Sequence, residues 1–254
     1  MEFTKAIVRR PCMAMSDGLT SADLGQPDYE LALKQHDKYI QALHDCGLDV
    51  TVLRSDEQYP DSTFVEDVAL LTAACAVITH PGAPSRRGET QSMEEALKTH
   101  YTVIEHIQPP DTVDAGDIMM VGSHFYIGLS ERTTAKGAAQ MIAIFEKHGM
   151  TGSTVPLKHV LHLKSGVAYL EDNFLAAAGS FVGREEFKQF NIIEIGDDES
   201  YAANCVWING TVLVAAGFPK AKEAFEAHGL KTLPLDMSEF QKLDGGLSCL
   251  SLRF

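Results

Sequence analysis

Three residues far apart in the chain could together do covalent chemistry on an electrophilic carbon. They are Cys249, in the run Leu243-Asp244-Gly245-Gly246-Leu247-Ser248-Cys249, His162, in Val160-Leu161-His162-Leu163, and Asp114, before Ala115-Gly116-Asp117. A cysteine thiolate is a strong nucleophile, a histidine can protonate a leaving group and then activate water, and a carboxylate can orient the imidazole. The further acids Asp61, Glu66, Asp67 and Asp117 would raise the pKa of a nearby thiol, and suit it only if the substrate brings a positive charge. A guanidinium fits that need: it is planar, permanently cationic, and its forked donors pair with carboxylates. Taken singly, each residue has a plainer reading. Leu250, Leu252 and Phe254 alternate with Ser251 and Arg253 as in a half-buried strand, where Cys249 would be a small hydrophobe. His162 alone would be a satisfied core histidine, and Asp67 or Asp117 would cap turns. The combination is what argues for a site. One histidine among scattered acids lacks a recognisable metal-ligand spacing, so a metal site is the less favoured reading.

Such a set can meet only if the chain brings distant segments to one place, and a recurring module offers the means. Its first copy runs Phe64–Leu71, Ala76–Thr79 and a helix over Ser92–Lys98. The second runs Asp114–Val121, Phe125–Gly128 and a helix over Thr134–His148; the third runs Ser165–Leu170, Phe174–Ala177 and Arg184–Phe190. The fourth runs Ala203–Ile208, Val212–Val214 and a helix over Lys220–His228, with Asn209-Gly210 as a strong hairpin signal between its strands. A fifth copy would open with Gly245–Phe254 and take Lys5–Arg9 as its second strand. Asp28 then caps a helix through Leu31, Tyr39 and Leu43, and Asp49–Leu53 is the last strand. A ring closed by the two chain ends leaves no exposed edge there. The expected fold is therefore a five-bladed, pseudo-symmetric α/β-propeller of ββαβ-like modules, with an ordinary α/β domain as the alternative. In the ring, the residues that open each module face the same end of the axis. The segment Cys12–Asp28 is long for a connection and reads as a binding loop or as disorder.

Composition narrows the partners. The 254 residues are 45% hydrophobic and 22% charged, with a formal net charge of −14. That charge disfavours nucleic acid and anionic membranes and suits a cationic small molecule. Met1–Arg10 lacks the apolar core of a signal peptide and no run reaches transmembrane length, so a cytoplasmic location is expected. The five cysteines are odd in number and unpatterned, which indicates no disulfide framework.

Five motifs in order, Asp61-Ser62-Thr63-Phe64-Val65-Glu66-Asp67, Arg86-Arg87-Gly88-Glu89, Ala115-Gly116-Asp117, His162-Leu163-Lys164-Ser165-Gly166 and Gly245-Gly246-Leu247-Ser248-Cys249, resemble the dimethylarginine dimethylaminohydrolases nearly end to end. These belong to the guanidino-group-modifying superfamily with the pentein fold. The resemblance implies one catalytic domain over residues 1–254. It also implies cofactor-free hydrolysis of Nω,Nω-dimethyl-L-arginine and Nω-monomethyl-L-arginine to L-citrulline and dimethylamine or methylamine. Carried over by motif, Cys249 is the nucleophile that forms a thiouronium, and His162 is general acid and then base. Asp114, where bacterial relatives often have Glu, pairs with the histidine or the guanidinium. Asp61 and Asp67 bind the guanidinium with Glu66 beside them, and Phe64 and Leu243 complete the substrate-binding stretches. Arg86 and Arg132 pair with the substrate α-carboxylate, although from the residues alone both read as solvated. Leu19 falls where the family has a mobile lid. Two rivals remain. An arginine deiminase would be longer, with an added helical module; a non-catalytic propeller that binds a macromolecule would not need these acids, His and Cys. A homodimer is compatible with the sequence, which does not itself set the oligomeric state.

Overall fold

The computed structural model describes residues 2–158 and 160–254. The chain starts with β1 (Lys5–Arg9), helix α1 (Tyr29–Asp45) and β2 (Asp49–Leu53). There follow β3 (Ala69–Leu71), β4 (Ala76–Ile78), α2 (Glu89–Leu97) and β5 (Ile104–His106), then β6 (Ile118–Val121), β7 (His124–Leu129), α3 (Ala135–Lys147) and β8 (Thr151–Pro156). Next come β9 (Val167–Tyr169), β10 (Phe174–Ala178) and β11 (Asn191–Ile195), then β12 (Val206–Ile208), β13 (Thr211–Ala215), α4 (Pro219–Ala227) and β14 (Lys231–Leu235). A short helix, α5 (Ser238–Gln241), and β15 (Leu252–Arg253) end the chain.

These strands form five three-stranded sheets: β3-β4-β5, β6-β7-β8, β9-β10-β11, β12-β13-β14 and β15-β1-β2. In every sheet the first two strands named are antiparallel and the last two parallel. A parallel pair needs a crossover, and a helix supplies it in four blades. In the third blade the expected Arg184–Phe190 helix is reduced to a single 3-10 turn, Glu185–Phe187. The fifth blade is closed by the chain ends, with Ala6 opposite Arg253 and Ile7 opposite Leu252. Its side chains pack into both neighbours: Ile7 and Leu252 with Val65 and Met93, Val8 and Tyr39 with Leu213 and Phe240. Full burial of each such aliphatic contributes about 1.5–3 kcal/mol, so the seam is held by core packing as well as by strand pairing.

Helix α1 begins where Asp28 accepts a hydrogen bond from the Leu31 N–H at 2.9 Å. From this helix the buried Tyr39 hydroxyl donates to the Leu247 carbonyl (2.8 Å) and meets Ser251 Oγ (2.7 Å), pinning the C-terminal segment on both sides of Cys249.

The innermost strand of each blade is entered through a 3-10 turn: Val65–Val68, Ala115–Asp117, Leu163–Ser165, Asp197–Ala203 and Ser248–Leu250. Ser248–Leu250 touches Val65–Val68, which touches Ala115–Asp117, which touches Leu163–Ser165, which touches Asp197–Ala203. Cys249 thus lies in a turn and not in the alternating strand expected from its neighbours; only Leu252–Arg253 is strand. Among the described residues, no helix is long and apolar enough to cross a membrane.

Candidate active site

The ring of turns places side chains from separate blades around one small cavity, about 40 Å³ in volume. It is lined by Leu19, Asp61, Phe64, Asp67, Arg86, Arg132, Leu161, His162, Leu243, Asp244, Gly245 and Cys249. Nine of the eleven residues given a catalytic or substrate-binding role in the sequence are in that set. Asp114 stands directly behind it, fully buried, and the one that faces elsewhere is Glu66.

Asp114 ends an extended segment just before its turn and receives hydrogen bonds on both carboxylate oxygens. Oδ1 accepts from the Gly82 N–H (2.8 Å), and Oδ2 lies 3.1 Å from His162 Nε2. Asp67 Oδ1 is 4.0 Å from the same nitrogen. Burial opposes the imidazolium, but Asp67, the hydrogen-bonded Asp114 and Asp117 outweigh it, and the His162 pKa rises to about 9. His162 is therefore charged at neutral pH. For Asp67, burial pushes the carboxyl up, while His162 and Arg86 more than reverse it and hold the acid below its ordinary range. A close approach is needed here: a Cβ on Gly116 would fall 2.5 Å from Asp67 Oδ1 and 2.9 Å from His162 Nδ1.

Cys249 has the opposite character. Burial, with Glu66 and Asp67 nearby, pushes its thiol up to about 12, so the resting form is the neutral thiol. A cation placed among the carboxylates would favour the thiolate. Burial also raises the Asp61 carboxyl, against the pull of Arg86.

The two arginines differ. Arg86 is buried, donating to Asp67, to both Glu89 oxygens and to the Asp61 and Phe64 carbonyls. Its guanidinium is thus largely spent on holding the carboxylate side of the cavity. Arg132 is less committed: among the described residues its guanidinium has one ion pair, to Asp114 Oδ2 at 3.8 Å.

The structure turns Glu66 away from the small cavity, contrary to its expected place beside the guanidinium. It lines a larger cavity of about 130 Å³ on the other side of the ring. There Glu66 pairs with Lys164 at 2.6 Å and accepts from Ser248 Oγ at 2.8 Å. On the 3-10 turn Val65–Val68 the two neighbours diverge, Asp67 into the small cavity and Glu66 into the larger one. The larger cavity also holds Cys205, whose thiol is pushed up to about 12 by burial, but among the described residues no histidine lines it.

The loop after β1 covers the small cavity. The Leu19 N–H donates to Asp61 Oδ1 at 3.0 Å, and the Leu19 side chain is 42% exposed at the mouth. Thr20 and Ser21 donate to Asp244 Oδ2. Leu161 and Asp244 are wall residues that the sequence reading did not single out. Adjacency to His162 and Leu243 was their only signal. Asp67, Asp114 and His162 each offer one ligand atom within 4.8 Å of the others, but the charged imidazolium and the Arg86 and Gly82 donors already engage these groups.

A five-bladed α/β ring with its reactive groups gathered at one mouth is the pentein architecture of guanidino-group-modifying proteins. Comparison with known proteins narrows this class. The family model for N,N dimethylarginine dimethylhydrolase, eukaryotic, matches residues 21–178. The N(G),N(G)-dimethylarginine dimethylaminohydrolase of Pseudomonas aeruginosa is 56% identical over 253 residues, 99% of this chain and 100% of that protein. That of Streptomyces coelicolor is 36% identical over 262 residues, covering 100% of this chain and 98% of the relative. The chain belongs to the dimethylarginine dimethylaminohydrolase family. The solved structure of the Pseudomonas enzyme, as a C249S mutant complexed with citrulline, superposes with a TM-score of 0.99 over 100% of both chains at 56% identity. A dimethylarginine dimethylaminohydrolase H162G adduct with S-methyl-L-thiocitrulline superposes at 0.98, covering 99% of this chain and 100% of that one, also at 56% identity.

Proposed function

We propose that this protein hydrolyses Nω,Nω-dimethyl-L-arginine and Nω-monomethyl-L-arginine to L-citrulline and the corresponding amine, with Cys249 as the nucleophile. The observation that carries the reading is the single cavity in which a neutral thiol, an imidazolium and two carboxylates converge. Family membership and the citrulline and thiocitrulline complexes of relatives at 56% identity support the same substrate class.

In this reading Asp61 and Asp67 hold the guanidinium and Arg132 takes the α-carboxylate, while Arg86 keeps the acids in place. The bound cation compensates the negative field around Cys249, and the thiol proton leaves to solvent. Sγ bonds to the guanidinium carbon to give a tetrahedral adduct. The bond from carbon to the methylated nitrogen breaks as His162 delivers its proton, and the amine departs. The neutral His162 then takes a proton from water, whose oxygen attacks the thiouronium carbon. The C–S bond breaks as the adduct's hydroxyl gives up its proton, leaving citrulline, and the departing thiolate takes up a proton to restore the Cys249 thiol.

The test is citrulline and amine release in separate incubations with dimethylarginine, monomethylarginine and arginine, without added metal. Turnover of the methylated substrates well ahead of arginine is expected. A preference for arginine would make the protein a short deiminase, and no turnover of any of the three would overturn the reading.

A further inference from the structure

Four of the five blade-opening turns place a side chain at the site: Asp67, Asp114, His162 and Cys249. The fourth blade in chain order supplies none to the cavity, yet its turn ends on Asn204, buried and 8% exposed. Asn204 Oδ1 accepts the buried Ser248 N–H at 3.0 Å, the bond that joins the fourth and fifth turns across the last gap of the ring. Three residues earlier on the same turn, the Tyr201 hydroxyl donates to the Gly245 carbonyl at 2.8 Å. Between these two grips sits Gly246, where a Cβ would lie 2.4 Å from Asn204 Cγ. The Gly246 carbonyl in turn accepts the Cys249 N–H at 3.2 Å.

We propose that Asn204 is a positioning residue for the nucleophile: its carboxamide fixes the backbone on which Cys249 stands, and so the direction from which Sγ meets the substrate carbon. The inference rests on the assignment of Cys249 as nucleophile and adds a residue that touches neither substrate nor reacting atoms. Ser248 is held from two other blades at once, its N–H by Asn204 and its hydroxyl by Glu66. That leaves the following residue little freedom. Displacements of about 1 Å in a reacting group cost about 100-fold in rate, so a backbone bond one residue away is enough to matter. Glycine at 246 follows from the same contact, because any side chain would push the carboxamide off the Ser248 N–H.

The experiment compares kcat and KM of the wild type with Asn204→Leu, Asn204→Asp, Gly246→Ala and the double variant Asn204→Leu/Gly246→Ala. Asn204→Leu keeps the branching and number of heavy atoms and removes the acceptor; Asn204→Asp keeps the acceptor. Asn204→Leu and Gly246→Ala are each expected to lower kcat about 10- to 100-fold, with KM within about threefold, since Asn204 does not line the cavity. Asn204→Asp should stay within about fivefold of wild-type kcat, and the double variant should be no worse than about threefold below the weaker single one, because both changes break one bond. If Asn204→Leu does not fold, Gly246→Ala against Asn204→Asp carries the comparison. Wild-type kcat in Asn204→Leu or Gly246→Ala, equal loss in Asn204→Asp and Asn204→Leu, or KM rising in step with a falling kcat would overturn the proposal. Absence of wild-type turnover would overturn it together with the proposed function, whereas active wild type with an unaffected Asn204→Leu would overturn this inference alone.

Discussion

His162 Nε2 sits 3.1 Å from Asp114 Oδ2, and Asp114 is itself fixed by the Gly82 N–H. The histidine is therefore an imidazolium held at a set angle and ready to give a proton. Its pKa is raised from 6.5 to about 9, so the acid form is lost as pH rises through about 9. A fall of kcat/KM above that pH is expected, and Asp114→Asn should move the alkaline limb down and cut kcat about 10- to 100-fold at pH 8. A pH–rate profile of both proteins checks this. The same shift acts on stability. The contribution is fully present below pH 6.5 and disappears as pH rises through about 9, so Tm should decline across that window and decline less in Asp114→Asn.

The thiol of Cys249, pushed up to about 12, should resist neutral alkylating agents at pH 7. An amidinium-bearing haloalkyl reagent brings the missing positive charge and should alkylate Cys249 at least about 10-fold faster than iodoacetamide, after correction for their intrinsic reactivity. Peptide mass spectrometry after timed labelling reads the ratio; equal rates would contradict the substrate-assisted picture.

Arg86 and Arg132 should separate cleanly. Removing the buried Arg86 strands Asp67 and Glu89, and Arg86→Ala is expected to lose about 3–5 kcal/mol of stability. Arg132→Ala should leave the denaturation midpoint nearly unchanged and raise KM by about 10-fold or more, as loss of a charge-assisted contact to carboxylate does. Urea titration and steady-state kinetics of both variants decide it.

Asp244 adopts φ +57°, a conformation that asparagine and glycine tolerate well. Its Oδ2 accepts from Thr20 and Ser21 of the loop that also caps Asp61 through Leu19. Asp244→Gly keeps the backbone and removes the latch. Amide exchange over residues 18–28 should accelerate about 10-fold and KM should rise, while Asp244→Asn lies between the two.

Much of this was legible in the sequence because the module repeats its punctuation. Asn209-Gly210 turns where expected, with positive φ at both residues, and Asp28 caps α1. Pairing of Lys5–Arg9 with the C-terminal strand followed from counting blades; the register, Ala6 opposite Arg253, did not. What stayed hidden were properties of side-chain direction. Whether Glu66 or Asp67 faces the small cavity depends on the pitch of a four-residue 3-10 turn, which no hydrophobic period reveals. The saturation of Arg86 depends on Glu89 and on carbonyls made available by folding. Asn204 was visible as the start of a module, but nothing in its type announced that it reaches Ser248.

The central claim is a covalent bond between Cys249 and the substrate carbon. Rapid acid quench of the protein mixed with dimethylarginine, followed by intact-mass and peptide mass spectrometry, tests it most directly. The account predicts a transient thiouronium on the Cys249 peptide that forms before citrulline accumulates, decays with it, and is absent in Cys249→Ser. Citrulline formed with no adduct at any time, and at an undiminished rate in Cys249→Ser, would contradict it.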